Sequence, residues 1–144
     1  MTIAKTTKEY FEDWHPYDLL IKHNYMRHDE IIDCLRKELA SSIAQEGAIL
    51  ELGCGNAYVV AHALKGVGEL DYTGIDLSNT ALQDASKNLS LLNWQVNLIE
   101  EDILAGLRLL EKDFGLVVAG FSLHHFSAAE NLKILKNTKR TYQI

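Results

Sequence analysis

Cysteine is scarce in this chain: only Cys34 and Cys54 occur, and no Cys-x-x-Cys pair. That excludes a disulfide framework and a cysteine-built zinc site, and it makes a reducing cytoplasm the expected setting. No apolar run approaches the roughly 20 residues that cross a bilayer. The opening Met1–Tyr10 lacks the apolar core of a signal peptide, so no membrane partner is expected. Positive charge is outnumbered, with 14 Lys and Arg against 20 Asp and Glu and a net charge of −6. This balance argues against non-specific attraction to nucleic acid or anionic lipid. The basic end (Lys133, Lys136, Lys139, Arg140) reads as a solvated helix terminus, where cations suit the dipole.

What is present suits one hydrophobic core: 144 residues, 47% of them hydrophobic and 24% charged. Residues 1–16 form a polar lead-in with Tyr10, Phe11 and Trp14, expected to be helical around Lys8–Asp13 and closed by the only proline, Pro16. From Tyr17 to Ile43 the apolar spacing is helical, with Ile32, Leu35, Leu39 and Ile43 on one face. A break is expected near His23-Asn24, with Asp29 or a neighbour as the next cap and Gly47 as the stop. Residues 1–47 are therefore read as a helical cap and 48–144 as the core. In the core, strands are expected at Ala48–Leu52, Leu70–Asp76, Gln95–Glu100 and Leu116–Gly120. Helices are expected at Ala57–Lys65, from a Ser78 or Asn79 cap to Leu89, at Asp102–Leu110, and at Ala128–Lys136 with Leu132 and Leu135 inward. Short continuous apolar strands alternating with helices predict a parallel α/β sheet covered on both faces.

The stretch Ile49-Leu50-Glu51-Leu52-Gly53-Cys54-Gly55-Asn56-Ala57 runs a buried strand into a glycine turn and a helix start. Glycines let a ligand approach the backbone, and the helix start offers unpaired N–H groups. A dinucleotide fingerprint would need a third glycine at position 58, where Tyr58 stands and would crowd a pyrophosphate. The arrangement instead resembles motif I of the class I S-adenosylmethionine-dependent methyltransferases, with Ala57 in place of the third glycine.

That resemblance implies a Rossmann-like fold that binds S-adenosylmethionine and releases S-adenosylhomocysteine. The turn residues Glu51, Gly53, Cys54, Gly55 and Asn56 would hold the cofactor. Asp76, with Leu77 beside it, ends the second strand, where a carboxylate can accept both ribose hydroxyls. A helix N-cap acid is the other reading of Asp76. Asp102 with Ile103 would meet the adenine, although Glu101 is a near rival and a solvated acidic loop is the plain alternative. The segment Leu116-Val117-Val118-Ala119-Gly120-Phe121-Ser122-Leu123-His124-His125 looks like the family's motif IV in its small-molecule form. Ala119, Gly120 and Phe121 would lie beneath the methionine moiety, and Gly115 replaces the usual opening aspartate. The Asn-Pro-Pro-Tyr type of sequence is absent, which points away from nucleic-acid bases as acceptors.

Adjacent His124 and His125 can be read as a general base or as packed corner residues. His23 and His28 do not share a helix face and make a poor ligand pair. Cys54 reads as a small buried filler rather than a nucleophile. Methyl transfer from a sulfonium needs alignment and exclusion of water more than a nucleophile, so no catalytic residue and no metal is named. The expected activity is methyl transfer to a small molecule, and the alternative is a non-catalytic cofactor-binding or interaction module.

The resemblance covers about residues 25–137 and four of the family's usual seven strands. Truncation, a homodimer that completes the sheet, and a compact variant are the three readings, with truncation preferred. A four-stranded sheet by itself would expose the fourth strand as an edge, which a homodimer would cover.

Overall fold

A computed structural model of the chain describes residues 15–139. The helix expected around Lys8–Asp13 lies outside the described residues, as do the side chains of Tyr10, Trp14, Tyr17, Leu39 and Ile43. Among the described residues, two helices precede the sheet, α1 (His15–Lys22) and α2 (His28–Glu46). Their break falls where the sequence places it. Asn24, in the left-handed region at φ 51°, accepts the Asp29 amide on its side chain, and Gly47 stops α2 at φ 65°.

The chain then alternates: β1 (Ala48–Leu52), α3 (Tyr58–Ala63), β2 (Asp71–Asp76), α4 (Asn79–Leu89), β3 (Gln95–Glu100), α5 (Ile103–Arg108), β4 (Leu116–Val118) and α6 (Ala128–Lys139). A short 3-10 turn, Leu123–His125, separates β4 from α6. All four strands are parallel, in the order β3-β2-β1-β4. Central β1 is buried on both faces, and the two-residue period of a strand sends its side chains into two cores. Ile49 joins Tyr72, Val60, Leu64, Leu82 and Leu89 on one face. Leu50 and Leu52 join Ile75, Ile103, Phe114 and Ile134 on the other. Each such fully buried aliphatic side chain stabilises the fold by about 1.5–3 kcal/mol. Ile32 packs into the first core, which seats α2 against α3 and the glycine turn.

The structure corrects three expectations. Leu132 and Leu135 of α6 point outward, 52% and 53% exposed, and Ile134 is the buried residue at 1%. Asn131 sets this rotation by donating its side-chain amide to the carbonyls of Leu123 and Phe126. The sheet is not covered evenly, because β3 is an edge and Gln95, Val96 and Asn97 are exposed. Finally, β4 ends at Val118, opposite Glu51, so Ala119 and Gly120 lie beyond the strand and are exposed.

Candidate functional site

The glycine turn leaves β1 at the carboxyl end of the sheet and is pinned to β2. The amides of Gly53 and Cys54 both donate to the Ile75 carbonyl, at 2.8 and 3.1 Å. Gly53, Gly55 and Ala57 all have left-handed backbones, with φ of 66°, 53° and 55°. Gly53 is required twice over, by its φ and by its surroundings. A Cβ there would stand 2.5 Å from the Ser122 Cβ. Ala57 holds at some strain the conformation that glycine adopts freely. Asn56 is buried and closes the turn: its side chain accepts the Tyr58 amide, and its carbonyl accepts the Asn88 side chain.

Asp76 stands at the end of β2 and serves this turn directly. Its Oδ2 accepts the Gly55 amide at 2.8 Å, and its Oδ1 accepts the Ser78 amide at 2.9 Å. The helix cap itself is Ser78, whose hydroxyl accepts the Ala81 amide at the start of α4. The half-buried Leu77 lies between them. One strand further out, Asp102 caps α5 through Oδ1, which accepts the amides of Leu104 and Ala105. Ile103 is buried in the second core. Thus Asp102 has a fixed place and is not part of a loose acidic loop, and Glu101 accepts the Asp102 amide.

Glu51 lies beneath the turn rather than on its surface. It is 6% exposed, accepts the Tyr72 hydroxyl, and has its pKa raised to about 8, chiefly by burial. The hydrogen bond from Tyr72 opposes that rise, and the negative charge of Asp76 adds to it. Cys54 is buried in the same cluster. Burial, with Glu51 and Asp76 nearby, holds its thiol well above the usual range, consistent with a filler.

On the other side of the turn, the segment after β4 carries Ala119, Gly120 and Phe121. Phe121 is left-handed at φ 58° and packs its ring against His28. The next residue, Ser122, donates its hydroxyl to the Leu52 carbonyl at 2.8 Å. Sequence reasoning missed Ser122, Tyr72 and the His28–Phe121 contact. Only the juxtaposition of a small residue with Gly53, three strands earlier in the chain, could have signalled the first. The rings of His124 and His125 lie 3.9 Å apart between centroids, tilted by 41°, and both residues are exposed, with the His125 pKa lowered by partial burial and by His124. Among the described residues, no group of three His, Cys, Asp or Glu side chains could hold a metal ion. Nor is any described helix long and apolar enough to cross a membrane.

This geometry agrees with a family-level match. The model of a methyltransferase domain matches residues 49–143. The chain belongs to the methyltransferase domain family. A comparison with curated proteins finds no match. Among solved structures, the chain is similar to DesVI of Streptomyces venezuelae, with 20% identity, a TM-score of 0.65, and coverage of 88% of this chain and 51% of that one. It is similar to DhpI in complex with S-adenosylhomocysteine (SAH), with 16% identity, a TM-score of 0.72, and coverage of 94% and 62%. An O-methyltransferase family protein from Burkholderia thailandensis gives 17% identity, a TM-score of 0.75, and coverage of 98% and 42%. At such identities the likeness establishes the Rossmann-like methyltransferase fold. The chain spans between 42% and 62% of the length of these three relatives.

Proposed function

We propose that the chain binds S-adenosylmethionine across the carboxyl ends of β1, β2 and β3 and transfers its methyl group to a small-molecule acceptor. The observation that carries this reading is the pairing of the Gly55 amide with the Asp76 carboxylate. It sets a glycine turn, followed by Tyr58 where a dinucleotide site would need glycine, beside an acid suited to ribose hydroxyls. The residues fit the cofactor: the left-handed turn suits close approach of a ligand, and it is fixed by Ser122 packed beside Gly53 and by Asp76 bonded to Gly55.

In this reading Gly53, Cys54, Gly55 and Asn56 hold the amino-acid tail through their backbone, and Glu51 supports them from beneath. Asp76 takes the ribose with Leu77 alongside, and Asp102 and Ile103 border the adenine. Ala119, Gly120 and Phe121 bound the methionine end. When bound, the cofactor supplies a methyl group already activated by a sulfonium. The chain's own task is then to align the acceptor and keep water out, with residues 1–47 as cap and 48–144 as cofactor core. A net charge of −6 favours a small acceptor over nucleic acid, and the scarcity of cysteine favours a cytoplasmic setting. DesVI, DhpI and the Burkholderia protein supply the fold-level support for this reading.

A second reading rests on β4. Among the described residues this three-residue strand pairs only with β1, which leaves an edge that a second copy could extend. On that reading the chain binds the cofactor as a non-catalytic module. Isothermal titration with SAH tests the common premise. Micromolar binding that Asp76→Ala weakens at least tenfold is expected. Equal absence of binding in both proteins would sink it. Transfer of a radiolabelled methyl group to a defined acceptor then separates enzyme from module, and sedimentation gives the copy number.

A further inference from the structure

Phe121 combines two features that interior packing does not account for. Its backbone is left-handed, which a bulky side chain adopts only where its surroundings over-determine it. Yet the residue is 44% exposed, so the strain does not serve to bury it. The surroundings that impose the strain are visible on both sides. Ser122 is buried and hydrogen-bonded to the Leu52 carbonyl at the end of β1, and its Cβ presses on the position that only a glycine at 53 leaves open. The Phe121 ring lies 5.9 Å from that of His28, between centroids, at 52°. His28 is fully buried at the first position of α2. Further along α2, Ile32 enters the first core and Arg36 donates to the His62 carbonyl at 3.1 Å. Phe121 therefore touches the first residue of a helix that Ile32 and Arg36 fix to the first core and to α3.

We propose that Phe121 is a positioning residue that couples the N-terminal helices to the cofactor turn. The path runs from the ring of His28 through Phe121 and Ser122 to Leu52 and Gly53, so filling the turn and seating the start of α2 favour each other. This rests on the cofactor reading above. By linkage the coupling is reciprocal: what holds α2 in place tightens the turn's ligand, and the ligand steadies α2. Phe121 acts through the elements it joins and takes no part in the chemistry.

Amide hydrogen exchange on the full chain, with and without SAH, tests it in wild type, Phe121→Ala and Phe121→Tyr. In wild type SAH is expected to slow exchange at residues 53–57 and, by about five- to tenfold, at residues 28–32. With SAH raised until titration shows each variant to be saturated, so that any weaker binding from loss of the ring is offset, Phe121→Ala should show the slowing at 53–57 without that at 28–32, while Phe121→Tyr, which retains the ring, behaves as wild type. A merely structural ring would change the ligand-free rates and leave the SAH-induced difference intact. Retention of the slowing at 28–32 in Phe121→Ala overturns the proposal. If SAH slows nothing at 53–57 in wild type, the cofactor reading fails, and the path is then judged on the ligand-free chain. There, faster exchange at 28–32 in Ser122→Ala as well as in Phe121→Ala supports the path, and unchanged rates, or a change confined to Phe121→Ala as a merely structural ring would give, overturn it.

Discussion

The Gly55 amide donates to the Asp76 carboxylate at 2.8 Å, across 21 residues of chain. The glycine turn and the end of β2 are thereby tied by the polypeptide itself. One acid thus has two duties, holding the turn and, in the proposed function, receiving the ribose. The second oxygen is committed in part to the Ser78 amide, which orients the carboxylate relative to α4.

Asp76→Asn should therefore damage binding more than folding. The asparagine carbonyl can still accept one amide, while its NH2 faces the other. Loss of one hydrogen bond to a charged group costs about 1.5–3 kcal/mol. The expected outcome is a Kd for SAH raised about ten- to hundredfold. Asp76→Ala, which leaves both amides without this acceptor, should in addition lower the urea midpoint clearly. Titration and urea unfolding on the same preparations check both statements.

Glu51 predicts an unusual pH dependence. Its folded pKa is raised from 4.5 to about 8, chiefly by burial. Below the unfolded value the carboxyl is protonated in both states and carries no penalty. Between about 4.5 and 8 the unfolded chain releases the proton while the folded chain keeps it, so this group makes stability fall as pH rises. Glu51→Gln keeps an acceptor for the Tyr72 hydroxyl and removes the titration. The variant should match wild type near pH 4.5 and exceed it by on the order of a few kcal/mol near pH 8. Urea midpoints at pH 4.5, 6 and 8 measure the difference, and a constant offset would contradict the assignment.

These two acids show what could be read from the sequence and what could not. The strand β1, the turn and Asp76 were legible because central parallel strands are continuous apolar runs and the glycines and acid follow at fixed points. The Glu51–Tyr72 bond depends on the β1–β2 register, which pairs Glu51 with Gly74 and which no local pattern encodes. The rotation of α6 was misread for a similar reason. Leu132, Ile134 and Leu135 allow two apolar faces, and Asn131 selects between them with hydrogen bonds to a loop. Asp102 is visible in the sequence as an acid after the third strand, but its capping of α5 appears only once the helix start is fixed.

Gly53→Ala should be severe. The added methyl would require a left-handed alanine and would stand 2.5 Å from the Ser122 Cβ. Backbone strain and overpacking each contribute about 1–3 kcal/mol. The combination Gly53→Ala with Ser122→Gly removes the clash but not the strain, so it should recover part of the loss. Thermal unfolding of the two single variants and the double variant tests this. Simple additivity would mean that the two residues do not meet.

The two cysteines should differ sharply in reactivity, and the difference reports on the turn. Cys34 is exposed on α2, whereas Cys54 is buried between Gly53 and Gly55. Burial also keeps the Cys54 thiol protonated, and the thiolate is the species that an alkylating reagent meets. Iodoacetamide at pH 8 should therefore modify the exposed Cys34 directly and Cys54 only through local opening, slower by ~10²-fold or more. If SAH occupies the turn and opening is a fast equilibrium, a concentration one hundred times its Kd should slow Cys54 by about a further hundredfold. Cys34 should be unaffected and serves as the internal reference. Mass spectrometry of the two cysteine peptides over time reads both rates. Equal labelling of the two thiols would mean that the turn is not closed around Cys54. A Cys54 rate insensitive to SAH, with binding established by titration, would place the ligand elsewhere than on this turn.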